Sequence, residues 1–217
     1  MQEEGLASHT WKRGYKSRED PHALLDEFFI PALERSKVYL RGAGFFSSSM
    51  FETIGAALGG FVERGGKMRL IMNVRMTEED QEAVKSGLKN WDSVVDKEVG
   101  RIVKEDFAAP LGRGSLMLTR LIEMGRLEIR IARKPQGIYH EKIGVFFDED
   151  VNLDGYVMSL EDRDHLVFFG SVNESMTAWH KSHENIKVFC SWSEDGRAVD
   201  ATDTLRSFIE NWRDETP

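Results

Sequence analysis

The chain has 217 residues, 41% of them apolar and five of them tryptophan, enough to bury one sizeable core or two small ones. No run approaches the roughly 20 uncharged apolar residues of a membrane span, so no membrane partner is expected. One cysteine, Cys190, excludes an intrachain disulfide framework, and a formal charge of −8 argues against a uniformly basic nucleic-acid binder.

Met1-Gln2-Glu3-Glu4 lacks the basic and apolar regions of a secretory signal, so a cytoplasmic location is expected. Residues 1–20 are polar, with Lys12, Arg13, Lys16 and Arg18, and read as an N-terminal arm, flexible or ordered against a domain at 21–217. A helix is predicted over 23–36, a strand over 38–40, a helix over 49–64 and a strand over 68–74. Met68, Met72 and Met76 in that stretch read as packing. A polar helical stretch follows over 77–98, then a helix over 115–124 leading into a strand over 127–132. Arg120, Arg126, Arg130, Arg133 and Lys134 gather just before a strand at 138–147 (IYHEKIGVFF). Short strands follow over 166–169 and 186–189. An amphipathic helix closes the chain over 200–212, with Leu205, Phe208, Ile209 and Trp212 on one face. Alternating helices and strands predict an α/β fold, a sheet covered on both faces.

The acidic residues are unevenly placed. Residues 148–164 hold seven acids and one base, and residues 193–217 hold seven acids and three arginines, leaving the rest of the chain at +2. The segment 148–164 reads as an acidic insertion, a solvated surface loop in its plainer interpretation. In the sharper one it shields a site and holds activity down.

Three pieces carry chemistry. His140 and Lys142 alternate along a predicted strand, which puts them on one face about 7 Å apart along the chain. Gly170-Ser171 ends the next strand, where glycine permits a sharp turn or a close approach. Asn173 is a good N-cap for a short helix through Trp179, so Ser171, Asn173 and the helix N–H groups would face one point that suits a phosphate. Glu184 opens the strand after that. Any one piece alone is weak evidence; their order is the signal. His180-Lys181-Ser182-His183 could be half a zinc site, but with one cysteine and no second ligand pair no structural metal is expected. No other cofactor is implied.

His140-x-Lys142, then Gly170-Ser171-x-Asn173, then Glu184, resembles the signature of the phospholipase D superfamily. Residues 38–47 (VYLRGAGFFS) and 65–71 resemble that fold's first units, and the resemblance covers roughly 21–192. It is closest to the one-motif branch of small nucleases and the N-terminal modules of some bacterial helicases. Two departures stand out: the usual aspartate position is Phe147, with Asp148 one later, and the usual asparagine two before the glutamate is Ser182.

The resemblance implies a phospholipase-D-like mixed sheet and a metal-independent phosphodiesterase acting on DNA, ahead of RNA. His140 would attack phosphorus and form a phosphohistidine. Lys142, Ser171 and Asn173 would bind the phosphate, with Lys142 and Asn173 stabilising charge on its non-bridging oxygens. Glu184 would bond the far ring nitrogen of His140. A second histidine would protonate the leaving oxygen, and with one H-x-K in the chain it must come from another copy, which implies a two-fold homodimer. The branch also implies a helicase partner or fused helicase domain. The alternatives are a non-catalytic module for nucleic-acid docking or dimerisation, and a phospholipid hydrolase.

Overall fold

A computed structural model describes residues 5–18, 20, 22–72, 79, 82–87, 112–132, 139–153, 157–173, 178, 183–194 and 196–213. Two apolar runs, Val38–Ala43 (β2) and Ile143–Phe147 (β5), are buried along their whole length and lie side by side. Continuous burial is what a strand covered on both faces requires. Around them stand β1 (Gly14–Lys16), β3 (Lys67–Met72), β4 (Leu127–Ile131), β6 (His165–Gly170) and β7 (Asn185–Cys190). The seven form one sheet in the order β1-β7-β6-β5-β2-β3-β4. Strands β2, β3 and β4 run parallel, and every other neighbouring pair is antiparallel. This is the mixed α/β sheet the sequence predicts.

One face is covered by α1 (Ile30–Glu34) with the π-helical turn before it (Leu25–Phe29), α2 (Ser49–Thr53), α3 (Gly55–Glu63) and α4 (Arg113–Glu123). The helix predicted over 49–64 is interrupted at Ile54, so Met50 and Phe51 pack from one piece and Leu58 and Phe61 from the other. An aromatic cluster holds this layer to the sheet. Tyr39 stacks on Phe146 at 4.5 Å, and Phe28 and Phe29 meet Phe146 edge-on. Each such pair adds about 0.5–1.5 kcal/mol beyond burial. On the other face α6 (Arg197–Arg213) lays Ala201, Leu205, Phe208, Ile209 and Trp212 against Val38, Leu40, Val145, Phe147 and Val167. Helices therefore cover both faces.

The strand directions bring the C-terminal ends of β1, β2, β3, β4 and β6 and the N-terminal ends of β5 and β7 to one end of the sheet. Every site candidate lies there. The acidic insertion leaves β5 and enters β6 at the opposite end, five residues and about 17 Å away along β5. It is also tied down: Leu153 and Leu160 are buried beside α6, Glu149 pairs with Arg163 at 2.9 Å, and Asp150 pairs with Lys67 at 2.8 Å. A shield over the site is therefore not its place in the fold. It includes a short helix, α5 (Val157–Glu161), that its composition did not announce.

Of the two expectations for the N-terminal arm, order holds for residues 5–18. Leu6, Trp11 and Tyr15 are buried, and β1 pairs with β7. Asp148, which follows the expected aspartate position, accepts the Leu6 N–H at 2.9 Å and so pins that arm. The stretch 77–98, the helix after Asn173, and the positions Arg133, Lys134, His180 and Ser182 lie wholly or largely outside the described residues. No helix among the described residues is long and apolar enough to cross a membrane.

Candidate active site

The strand predicted over 138–147 begins only at Ile143, so His140 and Lys142 stand in the segment leading into it. The last rung before that segment is Gly170 N–H donating to the Lys142 carbonyl at 3.2 Å. The ladder between β2 and β5 ends at Gly42 opposite Ile143, so the residues before Ile143 have no strand pairing on that side. The lead-in is held instead by side chains. Tyr139, buried, donates its hydroxyl to Glu141 at 3.1 Å, and Asn211 of α6 donates to the same carboxylate oxygen at 3.2 Å. Burial, and then the Glu141 carboxylate, push the Tyr139 phenol well above its ordinary pKa, so it stays a donor.

His140 and Lys142 meet. Lys142 Nζ lies 2.9 Å from His140 Nε2 and 3.1 Å from the His140 carbonyl. An ammonium only donates, so Nε2 accepts and the ring proton belongs on Nδ1. That tautomer leaves the electron pair of a nucleophile on Nε2. Partial burial, and then the nearby Arg41 guanidinium, push the Lys142 ammonium below the ordinary lysine range, while the Glu184 carboxylate pushes it back up.

Asn173 reaches the same point from β6. Its Oδ1 accepts the Phe45 N–H at 3.1 Å, which turns the amide NH2 the other way. Gly44 separates the two segments: a Cβ there would stand 3.3 Å from His140 Cδ2 and 3.4 Å from Asn173 Oδ1. Glycine lets the end of β2 pass between the histidine and the asparagine. Ser171 is held by β7, its N–H donating to the Asn185 carbonyl and its Oγ accepting the Asn185 N–H, both at 3.1 Å. Gly170 allows this approach, because a Cβ would fall 2.1 Å from the Asn185 carbonyl oxygen.

Glu184 is fixed through its backbone by Ser17, which accepts its N–H at 2.8 Å and donates a backbone N–H to its carbonyl at 3.1 Å. The expected bond from Glu184 to His140 is absent among the described residues. Strand β6 stands between β5 and β7, which separates their backbones by about 10 Å. Within this chain the charge of Glu184 instead favours the Lys142 ammonium, against the effects of burial and Arg41.

Arg41 was not singled out in the sequence. It is fully buried, donates to the Ile143 carbonyl at 3.0 Å and to the Val172 carbonyl, and places its guanidinium 5.0 Å from the Phe168 ring. It thereby ties the segment after Lys142 to the one before Asn173. An arginine inside the apolar run VYLRGAGFF was the available signal. Among the described residues no group of three or more His, Cys, Asp or Glu is placed to hold a metal ion.

No family model and no curated protein matches the chain. Among solved structures it is similar to NucT from Helicobacter pylori, at 14% identity over 91% of this chain and 94% of that one, with a TM-score of 0.49. It is similar to a phospholipase D family member, Nuc from Salmonella typhimurium, at 18% identity over 85% and 82%, TM-score 0.45. A third is TrmBL2, an archaeal chromatin protein described as showing a novel mode of DNA binding, at 15% identity over 94% and 53%, TM-score 0.40.

Proposed function

We propose that the protein is a phosphodiesterase of the nuclease type, cleaving DNA through a covalent phosphohistidine on His140. The observation that carries this is the convergence of His140, Lys142 and Asn173 around Gly44, three segments far apart in sequence meeting at one exposed sheet end. A diester oxygen arriving there draws Lys142 off Nε2 and onto itself, which frees the ring nitrogen as the charge to be neutralised arrives. His140 Nε2 then forms a bond to phosphorus as the bond to the leaving oxygen breaks, and the leaving oxygen takes a proton from an acid. Water next attacks the phosphohistidine, loses its proton to the same group and returns His140. The Asn173 amide and the Ser171 hydroxyl hold the non-bridging oxygens through both steps.

The acid is a second histidine, His140 of another copy, in a homodimer with a composite site, because this chain has one H-x-K. No step in this scheme calls on a metal. A helicase, fused or separate, is the partner that would supply opened DNA to the site. The test is cleavage of single- and double-stranded DNA in excess EDTA, wild type beside His140→Ala, with molar mass read by light scattering. The expected result is activity that survives EDTA and falls by about 10⁴ or more in the variant. A folded, dimeric wild type that cleaves neither substrate would overturn the reading.

A further inference from the structure

Phe169 is 42% exposed, one of a few large apolar side chains left open among the described residues. It stacks flat on Phe189, with ring centroids 5.3 Å apart and planes 5° from parallel. Phe189 is half-buried against the edge of the α6 layer, so the pair is anchored on one side and open on the other. Phe169 lies opposite Ile143, the residue after Lys142, on one neighbouring strand, and opposite the exposed Lys187 on the other. The neighbours of Lys187 across the sheet are thus Phe169 and Gly14, neither acidic.

We propose that Phe169 and Phe189 form a platform on which one base of a single-stranded nucleic acid stacks, with Lys187 on the adjoining phosphate. This rests on the phosphodiesterase reading of the site beside it and narrows its substrate to an unpaired strand. A flat aromatic surface next to a cation, at the rim of a phosphate site, matches a polymer that alternates rings and anions. The spacing agrees. Ser171 is two residues beyond Phe169, about 7 Å along the strand, which is the reach of a nucleotide from its phosphate to its base. In a duplex the base edges are paired and both base faces are covered, so only an opened strand offers a face to Phe169. A second copy of the chain is the poorer occupant. Two phenylalanine side chains supply at most about 500 Å², well under the roughly 800 Å² that each partner contributes to a stable dimer.

The test compares an oligothymidylate with an oligomer of abasic residues of the same length, using wild type, Phe169→Ala and Phe169→Trp, each checked for folding by circular dichroism. Wild type should show a KM about tenfold lower for the base-bearing oligomer. Phe169→Ala should erase that preference and Phe169→Trp should keep it. A folded Phe169→Ala with the wild-type preference overturns the platform. So does a Phe169→Ala that falls from dimer to monomer in light scattering, because the patch is then an interface between copies. If wild type cleaves neither oligomer, the phosphodiesterase reading fails separately, and fluorescence anisotropy of labelled oligothymidylate decides the platform alone. Binding weakened about tenfold by Phe169→Ala would uphold it; equal binding, or none by wild type, would sink it.

Discussion

The two ends of the sheet are built on opposite plans. At the end of β5 that carries the acidic insertion, charges are settled pairwise across the surface: Lys67 with Asp150, Arg163 with Glu149, Arg206 with Glu161. At the other end His140 and Ser171 stay exposed, with Lys142, Asn173 and Glu184 half-buried, and the framework is hydrogen-bonded from beneath, through Arg41, Ser17, Tyr139 and backbone groups. A polar group satisfied by a surface partner is stable and inert. One oriented from below keeps its reactive atoms turned outward. The contrast sets the candidate site apart more plainly than charge does, since the molecule as a whole is acidic.

The sharpest way to break that contrast is to remove a group beneath the site. Arg41→Met leaves the Ile143 and Val172 carbonyls without their donor in the interior. It should lower the unfolding free energy in urea by roughly 2–5 kcal/mol. A loss under 1 kcal/mol would mean that Arg41 is not the tie described. Next comes Gly44→Ala, whose added methyl presses on His140 and Asn173 at 3.3 and 3.4 Å. Cleavage should drop about ten- to a hundredfold with the melting temperature nearly unchanged, because the shift falls on the reacting geometry.

Smaller effects lie in the pH profile. Burial and Arg41 depress the Lys142 ammonium, so activity should fall as pH rises through a value below the ordinary 10.5. Glu184→Gln removes the group that holds this pKa up, and the alkaline limb should move to lower pH. Arg41→Met should move it to higher pH. Shifts in the reverse directions would show that Lys142 is not the titrating group. The smallest effect belongs to the far end. Lys67→Ala breaks an exposed pair and should cost under about 1 kcal/mol, with cleavage as in wild type.

Much of the candidate site was legible in the sequence because its residues sit where apolar runs start or stop. VYLRGAGFF and LVFFGSVN end strands and IYHEKIGVFF begins one at the same sheet end, and the glycines mark where backbones pass closely. The start of β5 was misplaced because alternation continues through Tyr139 and His140 after the neighbouring strand has ended at Ala43. Periodicity reports a residue's preference and not whether a neighbour remains to pair with it. Arg41 went unnoticed because its partners are carbonyls on β5 and in the Gly170–Asn173 turn, which only the fold brings near. Strand β1 was missed for the same reason: three residues carry too little pattern, and its partner lies at the other end of the chain. The acidic insertion was readable as a segment, but its address in the fold was not.

The pairing of Ser17 with Glu184 spans 167 residues. On a ribosome adding about 5–20 residues per second, Ser17 waits roughly 10–30 s before Glu184 has been made. The first strand of the sheet is thus synthesised early and docked last. Until then Glu184 has no fixed position from which to act on Lys142, and β7, which carries Phe189 and Lys187, has no outer neighbour. That end of the sheet is therefore completed only after residues 185–187 have been made, although the strand that borders it was synthesised among the first twenty residues.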